Sequence, residues 1–376
     1  KTVRAVSGER VSVGAAEPLP FAFDPEGVLE TPYYRLAWDL DGNFSSIYDK
    51  VNDREVIKEG GRGNVLEVYE DRPLNYDNWD IDIFYMQKKE TFRLIAPVEA
   101  VEMGGLRAVL RFRRRYNLSE IVQDVIVYAD SGRIDFKTKV SWHEDCRLLK
   151  ASFETSVRSQ HASYDIQYGH VERPTHYNTS WDYARFEVVG HKWADLSETN
   201  YGVSLLNDCK YGYSIKDHVM KLSLLKSTKY PDDRMDMGEH EFTYSLYPHA
   251  GSVTEGGTVR EGVCLNQPLH GISGCRAALK SPAFTVTDVK GNPSGAVLID
   301  AVKEAEGEDC LVLRFHECLG GSHKILIQAG IPMKAWCESN ILEESCGEYK
   351  PCEDGRMEFA LHPFEIRTIK IRGVTR

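Results

Sequence analysis

No stretch of this sequence approaches the run of roughly 18 apolar residues that a membrane-spanning helix requires, so no transmembrane segment and no membrane partner is expected. The chain starts at Lys1 with no secretory-leader pattern and no methionine, which reads as an excised piece of a longer protein. Positive charge is in deficit. The 46 Lys and Arg stand against 57 Asp and Glu, a formal net charge of −11, which offers no field to hold a phosphate backbone. Nucleic acid is therefore not an expected partner. Cys-x-x-Cys is missing, as are a Gly-x-Ser-x-Gly elbow, a Gly-rich phosphate loop and His-Glu-x-x-His. Nine cysteines are present, an odd number, and Cys337, Cys346 and Cys352 lack zinc-knuckle spacing. They read as buried reduced thiols of an intracellular protein. His143 and Asp145 form a His-x-Asp pair at a turn with no third ligand nearby in sequence, so no metal is expected in this chain.

What the sequence has in quantity is strict alternation. Leu106, Ala108, Leu110, Phe112, Tyr116 and Leu118 share one parity, while Arg107, Arg111, Arg113, Arg115 and Asn117 share the other. Successive strand side chains point to opposite faces, so this is a half-buried strand. Ile134, Phe136, Val140 and Trp142 repeat the pattern, as do Leu149, Ala151, Phe153 and Val157. With a strand around Ile121 to Tyr128, the spacing predicts four adjacent antiparallel strands at 106–118, 119–129, 132–142 and 148–158 in one sheet. Residues 33–57 read as further hairpins, and hardly any stretch of ten or more residues keeps a helical period. The fold class is all-β: a large sandwich of stacked sheets followed by a smaller one. Linker-like composition at 280–295, with Lys290 to Ser294 reading KGNPS, marks the boundary. Three segments follow: an N-terminal linker or edge at 1–25, a large β-sandwich at 26–285 and a small one at 286–376.

The densest candidate site is Asp71 to Asp82, which packs Tyr76, Asp77, Trp79 and Asp80 close together. Aromatic rings stack on the apolar face of a pyranose and carboxylates accept its hydroxyls, so this composition suits a sugar. It equally suits a solvated acidic turn whose Trp and Tyr pin it to the core. A second candidate, Tyr168 to Asp195, holds His170, Glu172, Arg173, His176, Trp181, Asp182, His191, Trp193 and Asp195. Such a stretch fits a ligand-contacting loop system, or a long connection anchored by satisfied polar groups. A third is Gly238-Glu239-His240.

These same segments carry a resemblance. Asn64 to Asp82 (NVLEVYEDRPLNYDNWDID), Tyr168 to Asp208 and Gly238 to His249 (GEHEFTYSLYPH) resemble, in order, the C-terminal β region of retaining α-mannosidases of glycoside hydrolase family 38. The resemblance runs well over residues 28–250 and loosely beyond. It implies a galactose-mutarotase-like supersandwich for the larger part. It also implies a catalytic zinc and an aspartate nucleophile in an N-terminal α/β domain that has no counterpart here. The reading is a non-catalytic C-terminal region of a cytoplasmic, zinc-dependent α-mannosidase that is inactive alone. Its partners would be that N-terminal domain of the same polypeptide, mannosides or oligosaccharides, and, left open, further copies of itself as a homo-oligomer. Tyr76, Asp77, Trp79, Asp80, His191, Trp193 and Asp195 are the expected substrate or domain-interface residues, with the loop and the His191 to Asp195 group as companions. Two rivals stay open: a stand-alone carbohydrate-binding sandwich, and a mutarotase-like epimerase using a His and a Glu as acid and base.

Overall fold

In the computed structural model, which describes residues 19–270, 282–352 and 354–373, antiparallel strands dominate. Among the described residues, α-helix is confined to Ser180–Tyr183 and Thr258–Asn266. The protein divides into two compact units, one of residues 19–166 with 171–268, the other chiefly residues 282–373. Of the expected N-terminal segment at 1–25, residues 1–18 lie outside the described residues.

The larger unit stacks a ten-stranded sheet against a six-stranded one, with a five-stranded sheet of the first hairpins beside them. Arg107–Tyr116, Ser119–Tyr128 and Ile134–Trp142 run side by side as the alternation requires. Ile121, Val125 and Val127 are buried, while Glu120 and Asp124 alternate with them on the outer face. There Asp124 meets Arg111 at 2.6 Å. Phe136 joins the two layers: its ring lies 5.0 Å from Tyr244 in its own sheet and 5.7 Å from Phe153 across the core. This is face-to-face packing of two inner surfaces.

The fourth strand departs from expectation. Arg147–Glu154 does not continue the meander; it crosses to the six-stranded sheet and pairs with Val65–Glu70 and Val219–Ser227. The free edge of Ile134–Trp142 is taken instead by Gly238–Ala250, nearly a hundred residues on. The physical reason lies in burial. Leu148 through Phe153 are buried on both faces, which only a central strand flanked on two sides and covered above and below can satisfy. A backbone reversal with Cys146 at φ 51° makes the turn.

The first meander strand also holds a surprise. Arg114 shares the parity of Phe112 and Tyr116 and is buried with them, donating to Gln123 Oε1 at 3.0 Å and to the Gly42 carbonyl. Burial pushes its guanidinium down to about 10. Leu106 and Leu118, assigned to the buried face by parity, are exposed because they sit on the turns that bracket the strand.

The smaller unit is a β-sandwich of a three-stranded and a five-stranded sheet. Its core includes Leu313, Phe315, Ile325, Ile327, Trp336, Phe359 and Ile369. The Lys290 to Ser294 stretch, expected as linker, is a turn inside it. Phe284–Asp288 already pairs with His323–Ala329, and the Asp288 carboxylate holds the turn through Asn292. The eight described cysteines are free thiols, with Cys310, Cys318, Cys337 and Cys352 buried.

Candidate functional site

The six-stranded sheet has one apolar face and one polar face, and the polar face carries the site. In Val65–Glu70 the residues Leu66 and Val68 enter the core, so Glu67 and Tyr69 stand on the opposite face. In Arg147–Glu154 the same rule sends Leu149, Ala151 and Phe153 inward and Lys150 outward. Lys150 is nonetheless fully buried, because the chain from Asp71 to Thr91 returns over this face and its 3-10 turn Ile83–Gln87 lays Tyr85 across it.

Lys150 pairs with Glu187 and donates to Ser214 Oγ at 2.9 Å and Tyr85 Oη at 3.4 Å. Tyr85 in turn donates to Glu187. Beside this group, Glu67 receives Lys89 at 2.6 Å, Lys221 at 2.8 Å and the Tyr69 hydroxyl. Burial alone would raise the Glu67 carboxyl; Lys221 and Lys89 outweigh it and hold it below the usual carboxylate range. Burial pushes the Lys150 ammonium down, against the pull of Glu187.

The loop at Asp71 to Asp82 is ordered by its own sequence and by one neighbour. Asp71 is buried, bonded to Lys226 Nζ at 2.8 Å, and its carboxyl is held above the ordinary range by burial despite that lysine. Asp77 accepts from the backbone of Lys229 at 2.6 Å and Tyr230 at 3.0 Å. Tyr76, at φ 50°, closes a turn by accepting from the amides of Trp79 and Asp80 at 2.8 and 2.9 Å. Neither ring pins the loop to the core. Tyr76 is 66 % and Trp79 64 % exposed, and Trp79 packs edge-on between Tyr76 and Tyr230 at 6.2 and 6.3 Å. Trp79, Asp80 and Asp236 edge an open cavity of about 330 Å³. An exposed aromatic cluster next to carboxylates is a surface for a sugar ring or a second protein surface.

The expected companions are elsewhere. Trp193 and Asp195 lie on Trp193–Ser197 of the ten-stranded sheet, not on the sheet that carries the loop. Trp193 is buried beneath Gly262, where a Cβ would come within 2.7 Å of its ring. Asp195, 1 % exposed, receives His249 Nε2 at 2.8 Å, Ser204 Oγ at 2.7 Å and the Ser197 hydroxyl. Thr258 of the helix Thr258–Asn266 closes the group at 3.5 Å. Asp195 therefore fastens a helix to a sheet. His191 is half-buried, its ring 5.5 Å from Tyr211 and its carbonyl bonded to Asn207.

Several other candidates have local roles. Thr179 and Asp182 form a capping box for Ser180–Tyr183, with Trp181 exposed on that turn. Arg173 lies over the Tyr164 ring at 4.7 Å, and His240 is bonded to the Asp236 carbonyl at 2.8 Å. His143 and Asp145 diverge: the first meets Ser141, the second Lys229. Among the described residues no group of three or more His, Cys, Asp or Glu could hold a metal ion. The Lys150, Glu187 and Tyr85 group was missed by sequence reasoning. Its only signal was Lys150 on the same outer parity as Ser152 and Glu154, which reads as solvent-facing.

Comparison with known proteins adds the following. The model of the glycosyl hydrolases family 38 C-terminal domain matches residues 29–234, and that of the family 38 C-terminal beta sandwich domain matches residues 296–369. Alpha-mannosidase G of Dictyostelium discoideum is 40 % identical over 357 residues, covering 91 % of this chain and 32 % of the relative. Alpha-mannosidase 2C1 of Homo sapiens is 36 % identical over 354 residues, covering 92 % and 34 %. The chain thus spans about a third of the length of the curated relatives it matches. The crystal structure of an alpha-mannosidase from Enterococcus faecalis V583 superposes with a TM-score of 0.75 at 16 % identity, over 95 % of this chain and 43 % of that one, a likeness of fold.

Proposed function

The chain belongs to glycoside hydrolase family 38, whose C-terminal domains it matches, and from that premise we propose that it is the non-catalytic β region of a retaining, zinc-dependent α-mannosidase. In the whole enzyme the reaction is hydrolysis of terminal α-D-mannosyl residues. A retaining mechanism needs a nucleophile carboxylate and an acid/base carboxyl about 5–5.5 Å apart, and both are assigned to the N-terminal catalytic domain of the same polypeptide. Zinc, bound in that domain, supplies contacts to the sugar hydroxyls. The described residues of this chain do not fit the ion, since they gather no set of three ligands. The chain alone is therefore inactive in this reading, and the whole protein acts in the cytoplasm. No helix described here is long and apolar enough to cross a membrane.

The observation that carries the reading is the match to the family's C-terminal domain across residues 29–234. The exposed Tyr76, Trp79 and Tyr230 cluster supports a more specific role. Large rings held rigidly at the surface by a satisfied loop are interface anchors, and we assign Tyr76, Asp77, Trp79 and Asp80 to the surface that meets the catalytic domain. Trp193 and Asp195 are left to the interior. The test is Trp79→Ala and Asp80→Ala in the full-length enzyme, with activity expected to fall more than tenfold, about 1.4 kcal/mol, while the same substitutions leave this chain folded. Full activity in both variants would overturn the assignment.

A further inference from the structure

The strand Val219–Ser227 has two ends with different chemistry. Lys226 at one end holds the Asp71 to Asp82 loop, while the turn at Asp217 and His218, roughly 20 Å along the strand, edges an open cleft of about 550 Å³. Backbone bonds fix the walls of that cleft. The Asp217 amide donates to the Thr175 carbonyl at 2.7 Å, the Thr175 amide to the Gln160 carbonyl at 2.9 Å, and the Thr155 amide to the His218 carbonyl at 2.9 Å. The cleft therefore stands formed before a ligand arrives. Its lining is polar throughout and includes Arg158, Gln160, His176, Asn178, Asp217 and His218.

Two cations here lack a carboxylate. Arg158 bonds Glu198 through its backbone amide at 2.9 Å, and its exposed guanidinium forms no ion pair among the described residues. Lys58 aims its ammonium at an imidazole, with Nζ 3.2 Å from His218 Nε2. An ammonium has no lone pair, so Lys58 donates and Nε2 accepts, which leaves the ring neutral with its proton on Nδ1. Burial, Lys58 and Arg158 push the His218 imidazole down, against the pull of Glu154 and Asp217. Both of those carboxylates have other neighbours: Glu154 accepts from the Arg62 amide at 3.0 Å, and Asp217 lies 3.8 Å from Lys216. His176 faces Asp182, its Nδ1 at 3.6 Å from the carboxylate.

We propose that this cleft binds a phosphate monoester of a hydroxylated molecule, a sugar phosphate, with the phosphoryl group beside His218 and between Arg158 and Lys58. A phosphate monoester carries nearly two negative charges near pH 7 and three acceptor oxygens, which matches two unpaired cations. A carboxylate would match one. The cleft is also larger than a phosphoryl group and within the range of ligand pockets. Gln160 and Asn178, exposed at its rim, and the Asp217 carboxylate supply donors and acceptors for hydroxyls. The site is separate from the Trp79 surface, and it takes from the α-mannosidase reading only the choice of hexose for the probe.

The experiment uses the chain as it exists. Mannose 6-phosphate is titrated into the purified protein at constant ionic strength, with the histidine imidazole resonances as the readout. Saturable binding is expected with a dissociation constant on the order of 0.1–1 mM, and the His218 titration should move upward as the anion offsets the neighbouring cations. Inorganic phosphate is expected to bind at least about fivefold more weakly, since it lacks the hydroxyls, and mannose is expected not to saturate. Arg158→Gln and Lys58→Met should each weaken the sugar phosphate at least about fivefold with unchanged circular dichroism, both positions being exposed. Trp79→Ala should leave it as it was. Four results would overturn the proposal: no saturable shift with mannose 6-phosphate, undiminished affinity in both cleft variants, mannose binding as well as its phosphate, or inorganic phosphate binding as tightly as the sugar phosphate. None of them bears on the activity assay of Trp79→Ala in the full-length enzyme, so the two readings fail separately.

Discussion

Substituting Asp195 by alanine separates a structural carboxylate from a functional one. The Asp195 carboxylate is enclosed, and His249 Nε2 at 2.8 Å, Ser204 Oγ at 2.7 Å and Ser197 Oγ all rely on it. Removing it deprives these donors of their acceptor in a space without water access. A hydrogen bond to a charged group contributes roughly 1.5–3 kcal/mol, and a buried donor left without partner costs about 1–3 kcal/mol. The three losses overlap, since the hydroxyls can turn toward each other and Ser204 already meets Thr258 at 2.8 Å. The net cost is therefore about 3–5 kcal/mol, and the helix Thr258–Asn266 should loosen from its sheet. Trp79→Ala, at an exposed position, should cost no more than about 1 kcal/mol. Equilibrium urea unfolding gives the totals. Because the two units need separate bookkeeping, amide exchange in Trp193–Ser197 locates the loss. A cost below about 1 kcal/mol for Asp195→Ala, with exchange in that strand unchanged, would refute the fastening role.

Glu187→Ala leaves the buried Lys150 ammonium without its counter-charge and should cost about 3–5 kcal/mol, whereas replacing both partners with methionine should recover most of it; a double-mutant cycle in urea measures the coupling. In the smaller unit Glu308 receives Lys370 at 2.6 Å and Arg372 at 2.9 Å, and its carboxyl is lowered to about 2. A depressed folded value means the unfolded chain binds the proton first, so this contribution is present above the ordinary value of 4.5 and is lost as pH falls through about 2. Thermal midpoints between those limits should fall with pH, and Glu308→Gln should flatten that slope. Arg114→Met removes the donor to the Gly42 carbonyl inside the core and should cost about 1–3 kcal/mol, read from the urea midpoint.

Alternation in Ile134, Phe136, Val140 and Trp142 was legible because each strand displays its own two faces in sequence. Leu149, Ala151 and Phe153 were just as legible as a strand, but periodicity reports faces and not neighbours. The partner of Ile134–Trp142 comes from Gly238–Ala250, which local spacing cannot reveal. Burial of a charge is equally silent. Arg114 and Lys150 look like the exposed arginines and lysines around them, and pairing with the distant Gly42 carbonyl and Glu187 makes their burial tolerable. Asp80 and Asp195 are the same residue type beside tryptophans at Trp79 and two residues back at Trp193, yet one is exposed and the other enclosed. The family resemblance gathered them into one site; the sheet topology separates them. The Asp71 to Asp82 loop was found by its density of rings and carboxylates, while Lys226 and the backbone of Lys229 and Tyr230, which order it, arrive from a distant hairpin end.

The central claim is that this chain is the β region of an α-mannosidase and carries no hydrolytic centre of its own. Its most direct test is hydrolysis of an aryl α-mannoside by the purified chain with added zinc, beside the longer protein translated from the upstream reading frame. Zinc-dependent turnover is expected from the longer protein and none from this chain. Zinc-dependent turnover by this chain, free of host enzyme, would contradict it.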